Sequence, residues 1–126
     1  MLEVQNISKT FGGLQAVSEA SLEVAKGSIV SLIGPNGAGK TTLFAIISGF
    51  IKANSGTVKL SGESLGGLKP FKICEKGMVR TFQITQPFAQ LSILENIMIG
   101  AYSKISDPSE ATGEAQAVAH RVGRRW

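Results

Sequence analysis

The chain has 126 residues, 43% hydrophobic and 17% charged, a balance that suits one domain with a real core and excludes two full ones. Its net charge of +4 comes from scattered lysines and a C-terminal cluster of Arg121, Arg124 and Arg125. That pattern fits a solvated end, not a nucleic-acid surface, which wants a basic stripe with interleaved aromatics. One cysteine, Cys74, rules out an intrachain disulfide and fits a reducing cytoplasm. Met1-Leu2-Glu3-Val4 lacks the features of a signal peptide, and no apolar stretch approaches the ~20 residues of a membrane helix. A soluble chain able to dock on a membrane-bound partner is expected.

Leu2, Val4 and Ile7 alternate with polar residues until Lys9-Thr10-Phe11-Gly12-Gly13 breaks the pattern, which predicts a strand and a turn. Ala20, Leu22 and Val24 alternate with Ser21 and Glu23 as a half-buried strand, so the first part reads as an antiparallel β layer. Ile29-Val30-Ser31-Leu32-Ile33 is short, apolar and β-branched, as expected of a strand buried on both faces.

Gly34-Pro35-Asn36-Gly37-Ala38-Gly39-Lys40-Thr41-Thr42 follows and fits the phosphate-loop pattern G-x-x-x-x-G-K-[ST] at every specified position. A loop that wraps a triphosphate turns backbone N–H groups inward, and glycines at 34, 37 and 39 permit the dihedrals and close approach this needs. Lys40 supplies a point charge to the β and γ phosphates. Thr41 offers a hydroxyl to Mg²⁺, Thr42 donates to the α-phosphate, and the following helix adds unpaired N–H groups and a favourable dipole. That helix carries Leu43, Ile46, Ile47 and Phe50 at core spacing, with Gly49 placed to end it. A glycine turn that binds nothing is the bland alternative, but strand, loop and helix stand in the required order. The glycine spacing also differs from the G-x-G-x-x-G of a dinucleotide fold.

Residues 53–56 read as a turn and Thr57-Val58-Lys59-Leu60 as a strand before a turn at Ser61-Gly62. Gly66, Gly67 and Pro70 make a loop, Phe71, Ile73 and Cys74 suggest a short helix, and residues 78–82 suggest a strand ending at Gln83. Loop is expected over residues 84–90. Ser92-Ile93-Leu94-Glu95 is a capping box opening a helix that turns Ile93, Leu94, Ile97 and Met98 inward. Asp107-Pro108-Ser109-Glu110 repeats the signal before a helix to about Arg121 with a weak stripe of Ala115, Val118 and Val122.

Taken together, Leu2 to Phe11, Gly12-Gly13-Leu14-Gln15-Ala16-Val17, the loop Gly34 to Thr42, and Ser55-Gly56 before a strand resemble the start of an ATP-binding cassette (ABC) transporter ATPase subunit. Arg80-Thr81-Phe82-Gln83 and Leu91-Ser92-Ile93-Leu94-Glu95-Asn96-Ile97 resemble in particular the subfamily serving branched-chain amino acid importers. The likeness covers about residues 1 to 105; residues 106–126 carry little of it and read as a divergent or truncated tail. The fold it implies is α/β, the N-terminal part of a P-loop NTPase of the ABC type with an antiparallel β subdomain, one partial ATP-binding domain over residues 1–126. ATP and Mg²⁺ are the implied ligands. Phe11 matches the aromatic that stacks on adenine, with a packed core or turn ring as the alternative. Gln83 matches the glutamine whose amide meets Mg²⁺ or the attacking water, giving Thr41 and Gln83 as the metal contacts. Arg80 reads as a solvated or paired arginine and His120 as a solvent-facing helix residue.

The signature S-G-G-Q, the strand ending in the Walker-B Asp and catalytic Glu, and the switch His of the family have no counterpart in this sequence. The groups present position phosphates without completing phosphoryl transfer, so no catalytic residue is assigned and negligible turnover is expected. In the family the neighbours of the phosphate-loop strand come largely from that other half, which would leave residues 29–33 with open edges. A truncated or frameshifted product, or a fragment, is the corresponding expectation. The resemblance implies a head-to-tail second ATPase subunit and transmembrane permease subunits as partners, and a peripheral place on the cytoplasmic membrane. The alternative is a non-catalytic fragment that docks on a membrane subunit or partner ATPase through residues 84–100. A small kinase or GTPase is disfavoured, since neither an acceptor pocket nor an N-K-x-D base reader is found.

Overall fold

β1 (Leu2–Phe11) is the strand on which the first part of the chain is assembled, pairing antiparallel with β2 (Leu14–Val24) on one side and β3 (Ser55–Leu60) on the other. The computed structural model describes residues 1–123, so Arg124 and Arg125 of the basic cluster, and Trp126, lie outside the described residues. A short β4 (Glu63–Ser64) completes the sheet in the order β2-β1-β3-β4. Two compact units divide the chain, residues 1–80 and residues 81 onward.

In the first unit, Val4 stands opposite Leu22 on β2 and Val58 on β3, so one apolar row crosses the sheet. Helix α1 (Lys40–Ile47) buries Leu43, Ala45, Ile46 and Ile47. Its larger side chains join a core with Val4, Ile7, Val17, Val58, Leu65 and Ile73, the last from the short helix α2 (Pro70–Glu75). Each fully buried aliphatic side chain contributes about 1.5–3 kcal/mol, so these contacts fix the helix against the sheet.

Both long strands run further than their alternation suggests. β1 continues through Lys9 and Thr10 to Phe11, and β2 begins just after the Gly12-Gly13 turn. The pattern breaks because the register shifts between Val4 and Ile7 and again around Lys9. Hydroxyls take up the displaced amides: Asn6 N–H donates to Ser21 Oγ at 2.9 Å, and Glu19 N–H to Ser8 Oγ at 2.9 Å. Likewise β3 starts at Ser55, not after Gly56, because Ser55 already pairs with Ser8.

The expected strands at residues 29–33 and 78–82 do not form. A strand needs a ladder partner, and among the described residues the sheet offers one to neither segment. Ile29 is 97% and Ile33 91% exposed, against the burial expected of them. Phe50 lies beyond the end of α1 and is exposed, its ring 5.8 Å from the Arg80 guanidinium. Arg80 also donates to Ser48 Oγ at 3.4 Å, so it is a paired residue, though not on a strand.

In the second unit, residues 84–90 are loop, as expected, and α3 (Ile93–Ala101) and α4 (Pro108–Arg121) pack on each other. The capping box forms: Glu95 N–H donates to Ser92 Oγ at 3.2 Å and Ser92 N–H to Glu95 Oε2 at 2.7 Å. Leu94, Ile97 and Met98 are half-buried, but Ile93 points out, 63% exposed. Asp107 caps α4 through Glu110 N–H at 2.9 Å. The buried stripe of α4 is Ala111, Ala115 and Ala119, an i, i+4, i+8 row of small residues; Val122 is exposed. His120 is exposed, as expected.

The hydrogen bonds from the Ser92 hydroxyl and amide hold the Glu95 carboxyl below the usual carboxylate range. A carboxyl depressed in the folded state stabilises above its unfolded pKa, and the contribution is lost as pH falls through the depressed value. Helicity of α3, followed by circular dichroism, should therefore fall on acidification below about pH 4. Ser92→Ala, which removes the hydroxyl and keeps the backbone amide bond to Glu95, should weaken this pH dependence and cost α3 about 1 kcal/mol at neutral pH.

Candidate functional site

Gly39 carries the loop of residues 34–42 into α1, and it is the N-cap residue with φ +78°. A β-carbon there would stand 2.1 Å from the Ala16 carbonyl oxygen and 3.3 Å from Val17 Cγ2. Only glycine meets both the left-handed backbone and the close approach to β2. Gly37 needs its left-handed φ of +82° but faces open space, whereas a Cβ on Gly34 would meet only the Ala38 methyl at 3.4 Å. The sequence demand for glycine is thus strict at 39, conformational at 37 and weak at 34.

No side chain caps α1. The first-turn amides of a helix have no intrahelical acceptor, so the N–H groups of Lys40, Thr41 and Thr42 are offered at the positive end of the helix dipole. Ala38 N–H turns back to Pro35 O at 3.3 Å and closes the loop. Lys40 bends over it, its Nζ donating to Gly34 O and Pro35 O, both at 2.6 Å. The ammonium is therefore held over the loop's own carbonyls. Thr41 is exposed and Thr42 half-buried, while Pro35, Asn36 and Ala38 line the exposed outside of the turn.

Sheet register brings a second group to this loop. Phe11 pairs with Leu14, Thr10 with Gln15 and Lys9 with Val17, and Gly39 packs against Ala16 and Val17. The first residues of β2 are thus shared by the Phe11 end of β1 and the start of α1. Phe11 is 45% exposed, which excludes a core ring, and it stands at the end of β1 beside the Gly12-Gly13 turn, as a turn ring also would.

Gln83 belongs to the second unit and is exposed on its loop. In that unit Asn96 fastens the loop to α3. Its Oδ1 accepts Phe88 N–H at 2.8 Å, and its Nδ2 lies 3.1 Å from Phe88 O, 3.2 Å from Leu91 O and 2.9 Å from Ser92 O. Asn96→Ala should speed hydrogen exchange at Phe88 and neighbouring amides by about tenfold, one to two hydrogen bonds' worth, while leaving residues 1–80 unchanged. Sequence reasoning missed Asn96, and also Asn54, whose Oδ1 accepts Thr10 N–H at 2.8 Å, because side-chain bonds to distant backbone leave no periodic signal.

The donors suit a nucleoside triphosphate with its metal. A loop closed to a β-carbon at 39, uncapped amides and one flexible ammonium match phosphate oxygens. Within the first unit the exposed Thr41 hydroxyl is a neutral oxygen, adequate for a Mg²⁺ whose charge is met mainly by phosphates. Among the described residues no cluster of three His, Cys, Asp or Glu side chains is placed to hold a metal, and no helix is long and apolar enough to cross a membrane.

The sequence profile of the family described as ABC transporter matches residues 17–125. The chain is 40% identical over 126 residues to the probable branched-chain amino acid transport ATP-binding protein LivG of Archaeoglobus fulgidus, covering all of this chain and 45% of that protein. It is 42% identical over 106 residues to the high-affinity branched-chain amino acid transport ATP-binding protein BraF of Pseudomonas aeruginosa, covering 84% of this chain and 42% of that one. The crystal structure of a nucleotide-free ATP-binding cassette from an ABC transporter superposes with a TM-score of 0.73 at 38% identity, covering 87% of this chain and 44% of the other. The ADP conformation of an ABC transporter cassette gives the same TM-score of 0.73 at 38% identity, over 87% and 43% of the two chains. The chain spans less than half the length of these relatives. With its phosphate loop, its α/β fold and a family match over most of its length, the chain belongs to the ABC transporter ATP-binding family.

Proposed function

We propose that this chain binds Mg-ATP and forms the nucleotide-gripping part of an ABC importer ATPase subunit, serving branched-chain amino acids. The observation that carries the reading is the loop of residues 34–42, with Gly39 seated on β2, uncapped amides at the start of α1 and Lys40 held over the turn. The amides of residues 39–42 bind the phosphates. Lys40 exchanges its two carbonyl partners for phosphate oxygens, Phe11 stacks on the base, and Thr41 and Gln83 contact the metal. Mg²⁺, when bound, neutralises and orients the β and γ phosphates. Relatives with named transport roles support the amino-acid assignment, and in a complete transporter a second ATPase subunit and permease subunits are the proposed partners, holding the subunit at the cytoplasmic face of the membrane.

A second reading, docking on a partner without turnover, is favoured by one observation: Phe82, Ile84 and Phe88 are exposed on the loop that Asn96 holds. A circular-dichroism melt tests the primary reading. A ligand that binds only the folded state at 100 times its dissociation constant stabilises by about 2.7 kcal/mol. Mg-ATP should therefore raise the melting temperature by several degrees, and an unchanged melt at millimolar Mg-ATP would contradict nucleotide binding.

A further inference from the structure

We infer that Lys9 and Asn54 are positioning residues for base recognition, holding Phe11 as a platform with a single open face; this rests on the reading of Phe11 as the ring that stacks on the base. Residues two apart on a strand share a face, and Lys9 Nζ lies 5.0 Å from the centroid of the Phe11 ring. One face of the ring is covered by a cation while the side chain stays 45% exposed. A purine is thereby directed to the other face. Stacked aromatic faces repel through their negative charge, and an ammonium on the far side draws that charge away. Lys9 thus aims the ring and improves it as a stacking surface.

Asn54 fixes the strand that carries both residues. The pairing of β1 with β3 ends at Ser8 and Ser55. Beyond it, Asn54 N–H donates to Ser8 O at 2.9 Å and Asn54 Oδ1 accepts Thr10 N–H at 2.8 Å. These bonds clamp the backbone on either side of Lys9, on the edge away from β2. Ordering the strand end before the ligand arrives lowers the entropy lost on binding. None of these contacts involves residues 34–42, so their effect should fall on the base and spare the phosphates.

The test uses the 126-residue chain and two ligands, Mg-ATP and Mg-tripolyphosphate, which lacks a base, each titrated by calorimetry. Lys9→Met and Asn54→Ala should each weaken ATP about two- to fivefold, the size of one exposed cation–π contact, and leave tripolyphosphate unchanged. Lys9→Arg and Asn54→Asp, which keep the cation and the acceptor, should restore ATP affinity. Equal losses for both ligands, or an ATP affinity untouched by Lys9→Met and Asn54→Ala, would overturn the inference. Undiminished ATP affinity in Phe11→Ala would remove the stacking reading beneath it, and a wild-type chain that binds neither ligand would remove the proposed function and this inference with it.

Discussion

Gly39→Ala should abolish nucleotide binding and lower the melting temperature by about 10 °C or more. The expected size follows from two penalties at one atom. A non-glycine residue held at φ +78° costs about 1–3 kcal/mol of backbone strain. The new β-carbon would also lie 2.1 Å from the Ala16 carbonyl oxygen, a backbone atom that moves only if β2 moves. Relief requires the start of α1 to lift from the sheet, which loosens the seat of Leu43 and scatters the amides meant for phosphate. Gly37→Ala provides the contrast: it carries the left-handed strain without a neighbour to strike, and should lose only about 1–2 kcal/mol. A thermal melt of both variants checks the comparison, and equal losses would mean that close approach to β2 is unimportant.

Lys40→Ala should separate binding from folding in the opposite way. In the free chain the ammonium bonds two exposed carbonyls, Gly34 O and Pro35 O, which water can satisfy when the side chain is gone. The stability change should stay below about 1 kcal/mol. A charge-assisted bond to phosphate is worth about 1.5–3 kcal/mol, so Mg-ATP affinity should fall about 10- to 100-fold. Titration calorimetry measures it; equal affinity for both versions would count against the loop as the phosphate site.

Much of this architecture is written locally. The helix starts were legible because caps act over a few residues: Ser92 with Glu95, and Asp107 followed by Pro108, form the expected bonds. The loop was legible for the same reason, since its glycines stand at fixed offsets from Lys40. Strand extent was not, because the bulges in β1 are held open by Ser8 and Ser21 hydroxyls meeting amides more than ten residues away. Residues 29–33 carry every local mark of a buried strand, yet burial belongs to a partner and not to a segment, and the sheet of the described residues provides none. On α4 the expected stripe holds at Ala115 and half-buried Val118 and fails at exposed Val122, the buried row running instead through Ala111, Ala115 and Ala119, small side chains that suit close helix packing. Lys9 over Phe11 was in principle accessible from their spacing of two, but only once β1 was known to reach that far.

Amide chemical shifts recorded during a Mg-ATP titration of the ¹⁵N-labelled chain test the account most directly. The largest changes should fall on the N–H groups of Gly37, Gly39, Lys40, Thr41 and Thr42, and Mg-tripolyphosphate should reproduce them without moving Phe11. If those amides stayed still while the nucleotide saturated the protein, the phosphates would be bound elsewhere and the account would be wrong.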